Sequence, residues 1–206
     1  PTREDLANVF KHLLDLKIPL VGGADHGYSE AIYLEDLKGN GIELYRDKPE
    51  AEWDIREDGR IIGVTEELSA QDIYQLGKEI EPFAIASGTS MGYVHLSVKN
   101  SREASVFYQE SLGLEDKFTI PHASWIASGA YHHNLAVNEW SGKRLARRKY
   151  GMVGLAYYVV EVENKEFLVN LFTQAQDWQE QLRWISSSEF SVTDKDGIVT
   201  RVRVEN

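Results

Sequence analysis

Cysteine is absent from all 206 residues, which excludes disulfides, thiolate metal sites and cysteine nucleophiles. No apolar run approaches the roughly 18 residues of a membrane span, and the start of the chain offers no basic flank, apolar stretch or small-residue cleavage site. The expected location is therefore the cytoplasm, with no membrane partner. Lys and Arg number 22 against 33 Asp and Glu, and the formal charge of −11 denies the chain the basic footprint that a nucleic-acid partner requires. Hydrophobic residues make up 42% and charged ones 27%, ordinary proportions for a globular protein able to bury a core.

A helix is expected at the very start, where Leu6, Val9, Phe10, Leu13 and Leu14 form a stripe at helical spacing and Thr2 and Asp5 are placed as a capping box. A chain that opens inside a helix, with no strand before it, reads as cut partway through a folding unit. Two strands follow, about 30–34 and 42–46, joined by Asp36-Leu37-Lys38-Gly39-Asn40-Gly41, whose Asp, Asn and glycines supply the positive-φ positions of a tight turn. Glu43 falls on the returning strand. From about 47 to 90 the sequence is charged and only weakly periodic, and it reads as a solvated linker. Beyond it come a strand at 93–98, a helix at 100–112 with Asn100 and Glu103 placed as cap partners, and strands near 114–119, 123–128 and 131–138. After a basic loop, Lys143 to Lys149, read as solvated, the order recurs: strand 155–162, helix 165–176, then strands 181–186, 189–193 and 198–204.

The recurrence can be expressed as offsets. Adding 62 carries Gly92 to Gly154, His95 to Tyr157 and Val98 to Val160, while adding 158 carries Asp36 to Asp194, Gly39 to Gly197 and Glu43 to Arg201. The frame repeats and the ligand-capable residues do not, as divergence after duplication produces. Histidines and a carboxylate delivered from separate strands suit a mononuclear metal, since two imidazoles and one carboxylate can occupy one face of Fe(II) and leave the other open.

The motifs Ala24-Asp25-His26-Gly27-Tyr28-Ser29-Glu30-Ala31-Ile32-Tyr33, Asp36 to Pro49, Val94-His95-Leu96, Phe107-Tyr108, Leu112-Gly113 and Tyr131 to Asn138 run through most of the chain. Taken together they resemble the vicinal oxygen chelate superfamily, and within it the two-domain bacterial catechol 2,3-dioxygenases. The resemblance implies an α+β fold of tandem βαβββ modules. On that reading residues 1–48 are a module lacking its first strand, 49–90 a linker, and 91–206 two modules forming one glyoxalase-like domain. It implies an extradiol ring-cleaving dioxygenase that takes a small aromatic diol and O2 and depends on Fe(II), with Mn(II) as the other choice. A glyoxalase-like isomerase or lyase and a non-catalytic small-molecule-binding protein remain alternatives on the same frame. A further copy of the chain is the one protein partner expected.

The same resemblance assigns the candidate residues. His95 and Glu43 are implied as metal ligands converging in one cup, with a third ligand expected upstream of Pro1. His133 is implied as the acid/base group, because an imidazole titrates near working pH. His132 competes with it, and alternation along a strand would let only one of the two enter a pocket. His26 and Tyr33 are implied as groups that hydrogen-bond the oxygens of the substrate.

Overall fold

A computed structural model of the chain describes residues 2–142, 144–149 and 151–205, with the backbone alone for Gln179 and Glu180. Lys143, the first residue of the basic loop, lies outside the described residues. The fold is α+β with several small sheets, and it divides into two compact units, 1–92 and 93–206.

The first unit opens with α1 (Arg3–Asp15). Thr2 caps it: its hydroxyl accepts from the Asp5 amide, and the Asp5 carboxylate accepts from the Thr2 amide at 2.9 Å, so orphan donors at the helix start are satisfied reciprocally. Three antiparallel strands follow, β1 (Gly22–Asp25), β2 (Ser29–Glu35) and β3 (Gly41–Asp47). A small hairpin, β4 (Asp54–Ile55) with β5 (Ile61–Ile62), leads to β6 (Glu66–Glu67) and α2 (Ala70–Leu76). The sheet order is β3-β2-β1-β6.

The segment expected to be a linker is therefore part of this unit. β6 pairs with β1, and Leu68 and Ile73 are buried against Leu6, Phe10 and Ile32 in one core. Its apolar residues are few and far apart, so their shared core shows only once α2 lies along α1. The contact is tight at Gly77, where an added Cβ would stand 2.5 Å from the Ala7 carbonyl oxygen and 2.9 Å from Lys11 Cβ. A backbone atom cannot step aside as a side chain can, so Gly77→Ala is expected to lower stability by about 1–3 kcal/mol. Urea denaturation of wild type and variant measures it.

The second unit contains one βαβββ arrangement twice. The first copy is β7 (Val94–Ser97), α3 (Ser101–Leu112), β8 (Glu115–Ile120), β9 (Ala123–Ala127) and β10 (Leu135–Asn138). The second is β11 (Tyr158–Val162), α4 (Lys165–Gln174), β12 (Leu182–Ser186), β13 (Glu189–Thr193) and β14 (Val199–Val204), with a 3-10 segment Ala175–Gln181 after the helix. Sheet orders β7-β10-β9-β8 and β11-β14-β13-β12 match, and in each the first strand lies parallel to the last.

Asn100 and Asn164 cap the two helices through their side chains, and Gly113 ends α3 at φ 67°, a left-handed position that glycine takes without strain. The two copies share one core. Leu96, Val98, Phe107, Tyr108 and Val137 of the first copy cluster with Val162, Leu168, Phe190, Val192 and Val202 of the second. A buried polar link joins them as well: the Tyr108 hydroxyl donates to Asp194 Oδ2 at 2.8 Å, and the Ile198 amide donates to Oδ1 at 2.8 Å. Burial raises the Asp194 carboxyl above its usual range against the pull of those two donors. No helix among the described residues is long and apolar enough to cross a membrane.

Candidate functional site

Glu43 is placed by the β2–β3 hairpin. Tyr33 and Glu43 are register partners, so the spacing of ten residues between them sets both side chains on one face of the sheet. The Tyr33 hydroxyl donates to Glu43 Oε1 at 3.0 Å and lies 2.5 Å from His26 Nε2. His26 Nδ1 is 2.8 Å from the Val64 carbonyl oxygen. A carbonyl only accepts, so Nδ1 carries the proton and Nε2 faces the tyrosine.

The turn that presents His26 is itself tied down. Asp25 accepts from the Gly27 amide at 2.8 Å and from Lys48 Nζ at 2.6 Å, and Gly27 takes φ 80°. Burial, then the nearby Glu43 charge, push the Tyr33 phenol far above its ordinary range, so it remains a donor at any working pH. One phenolic proton cannot serve His26 and Glu43 together; both contacts close as hydrogen bonds only when Nε2 is protonated too.

His95 sits on β7 between Val94 and Leu96, and its exposed side chain projects from the face opposite the buried Leu96. His95 Nε2 and His133 Nε2 are 3.1 Å apart. Beyond His133, its Nδ1 lies 2.7 Å from His132 Nδ1. His132 and His133 do not alternate to opposite sides as expected: they are 1% and 2% exposed, and their rings face each other through Nδ1 in one cluster. Strand alternation does not govern them because β10 begins only at Leu135, and the chain bends through residues 128–134.

Tyr93 and Val64 had no role at the level of sequence. The Tyr93 ring packs 4.1 Å from His133 and 5.3 Å from His95. The available signal was its place two residues before His95, which puts both on one side of an extended chain. Val64 acts through its carbonyl, and no side-chain pattern marks that.

The offset between the two copies of the second unit also needs correction. The capping residues Asn100 and Asn164 are 64 apart, and burial along β7 and β11 follows the same shift, so the counterpart of His95 is Val159 and not Tyr157. Shifts of 62 and 64 keep the same inward and outward parity, which is why the shorter one looked acceptable. By strand register His95 faces Ala136, and Val159 faces Arg201. Neither copy of the second unit places a carboxylate there.

Glu43 with Tyr33 and His26 belongs to the first unit, and His95 with His133 to the second. Among the described residues no three His, Asp or Glu side chains converge as a ready ligand set. The donors present, a carboxylate oriented by a phenol and imidazoles oriented by their neighbours, fit a divalent metal in chemical type.

No protein-family model matches the chain. It is 30% identical over 170 residues to the catechol-2,3-dioxygenase of Bacillus subtilis (strain 168), a match spanning 82% of this chain and 59% of that protein. The chain thus spans about three fifths of that relative's length. Among solved structures, a glyoxalase/dioxygenase from Nostoc punctiforme overlays with TM-score 0.47 at 13% identity, covering 60% of this chain and 97% of its own. A glyoxylase/bleomycin resistance protein/dioxygenase domain from Frankia sp. EAN1pec gives 0.45 at 15%, covering 58% and 100%. With its repeated βαβββ order, its parallel first and last strands and this sequence match, the chain belongs to the vicinal oxygen chelate superfamily of glyoxalases, bleomycin-resistance proteins and dioxygenases.

Proposed function

We propose that the chain acts as a metal-dependent extradiol dioxygenase, cytoplasmic, that opens the ring of a catechol-type diol with O2. The observation that carries this reading is the row Glu43–Tyr33–His26–Val64. A carboxylate meant for a hard divalent ion is held by a neighbour that is held in turn, the arrangement by which ligands are kept in position. The name of the Bacillus subtilis relative supports the choice of activity within the superfamily.

Glu43 and His95 are the ligand candidates, for Fe(II) or Mn(II). When bound, such a metal lowers the pKa of a coordinated hydroxyl, so that a diol loses a proton near neutrality. The protein's own groups do the rest: Tyr33 aims Glu43 and offers a phenol to substrate oxygen, His26 anchors Tyr33, and His133 carries a proton.

The test is oxygen uptake by the intact gene product, loaded anaerobically with Fe(II) and mixed with catechols. The expected result is uptake of O2 with a yellow ring-opened semialdehyde, its loss in Glu43→Gln, and a fall of about 10–100-fold in Tyr33→Phe. Absence of uptake with every catechol tried removes the dioxygenase reading and leaves the superfamily assignment standing.

A further inference from the structure

The second copy of the repeat turns a face of different chemistry to solvent. Along β13 and β14, Phe190, Val192 and Val202 are buried in the core, so alternation sends Ser191 and Arg201 to the opposite side. Register sets Val159, Arg201, Ser191 and Arg183 in one row across β11, β14, β13 and β12. Where the row of the first copy begins with His95 and Ala136, this one holds two guanidinium groups with a hydroxyl between them. The Arg201 guanidinium lies 3.9 Å from the centre of the Tyr157 ring. Stacking fixes its plane and leaves its N–H edges to a planar oxyanion, which a guanidinium grips through two parallel hydrogen bonds. Glu189 reaches it only at 3.4 Å, longer than the roughly 2.7–2.9 Å of a charge-assisted hydrogen bond. Arg203, by contrast, is already closed on Glu161 at 2.6 and 3.0 Å. Arg183 stands exposed on the edge strand, and among the described residues its side chain has no ion pair or hydrogen bond. Two strand spacings, roughly 9–10 Å, separate it from Arg201, so both long side chains can close over Ser191.

Charge is distributed in the same sense. The first unit carries 9 Lys and Arg against 19 Asp and Glu, whereas the second carries 13 against 14. The basic loop adds to the contrast, for the Arg148 amide donates to the Asp196 carbonyl at 2.7 Å and so anchors that run on the turn between β13 and β14. We propose that Arg201 and Arg183 form a binding site for a small carboxylate with an apolar body. Its oxygens would sit on the two guanidinium groups and its body against Tyr157 and Val159, which are 42% and 36% exposed. The site shares no residue with the functional reading and does not rest on it.

Benzoate titrated into the full 206-residue chain tests this, followed by calorimetry and by the amide NMR signals of β11, β13 and β14. The expected result is binding that shifts those amides and that weakens about 10-fold or more in Arg201→Gln and in Arg183→Gln. Glu189→Gln removes the anion that competes for Arg201 and should tighten binding several-fold, a gain that a damaged fold does not produce. Arg102→Gln, at an exposed position on α3, makes the same change of charge and should leave binding as it is. Far-UV circular dichroism checks that each variant folds. The proposal is overturned by a wild type that binds no benzoate, or by Arg201→Gln and Arg183→Gln that both bind as the wild type does. Inorganic phosphate bound as tightly as benzoate also overturns it, since the apolar body would then count for nothing.

Discussion

Phe190→Ala is expected to cost the second unit about 3–5 kcal/mol. Phe190 is fully buried, its ring 5.4 Å from Phe172 and 5.8 Å from Trp184. Truncation removes the transfer energy of the ring and leaves a void that rigid strands on either side cannot close. The core is common to both copies of the βαβββ arrangement, so the loss should be felt well beyond β13. Amide hydrogen exchange gives the check: protection should fall in β7 and β10 as well as in β11 to β14. Full protection in the first copy would show that the two copies are held separately. Phe190→Leu, nearer in volume, should recover most of the loss.

In the first unit the largest expected effect belongs to Glu30. Its carboxylate, only 7% exposed, accepts from Arg3 Nε at 2.8 Å and from Arg46 Nε and Nη2 at 2.8 and 2.6 Å. Burial pushes this carboxyl up, but the bonds from Arg3 and Arg46 outweigh it and hold the group below its ordinary range. Removing the anion strands two cations; Arg3 is partly exposed and rehydrates, so Glu30→Ala is expected at the lower end for a broken buried pair, about 3 kcal/mol.

The pH dependence has a definite sign. A carboxyl whose folded pKa is depressed contributes stability that is fully present above its unfolded pKa, and that is lost as pH falls through the lower folded value. Urea denaturation from neutrality down through the carboxylate range should therefore show the wild type losing ground that Glu30→Gln never had. Parallel pH profiles for the two proteins would mean that the ion pairs contribute nothing to folding.

The sequence was informative where a residue's role depends on near neighbours. The capping pairs Thr2–Asp5 and Asn100–Glu103 form as their spacing predicts, and the hairpin around Asp36 brings Tyr33 opposite Glu43. Roles that depend on distant segments were hidden. Leu68 and Ile73 look like stray apolar residues in a charged stretch until α2 packs on α1. His132 and His133 look like neighbours on a strand until the chain bends before Leu135. The duplicated copies were visible, but with apolar residues alternating along both strands the helix caps were needed to fix the shift between them.

The clasp of His26 on Val64 uses a main-chain oxygen, so it is blind to which amino acid occupies position 64. It is not blind to chain length. One residue gained or lost between β5 and β6 would carry that oxygen away and leave His26 Nδ1 without its main-chain acceptor, and the phenol with Glu43 alone to hold it. This stretch can therefore accept many spellings but only one count, a constraint that falls on insertions and deletions and spares substitutions.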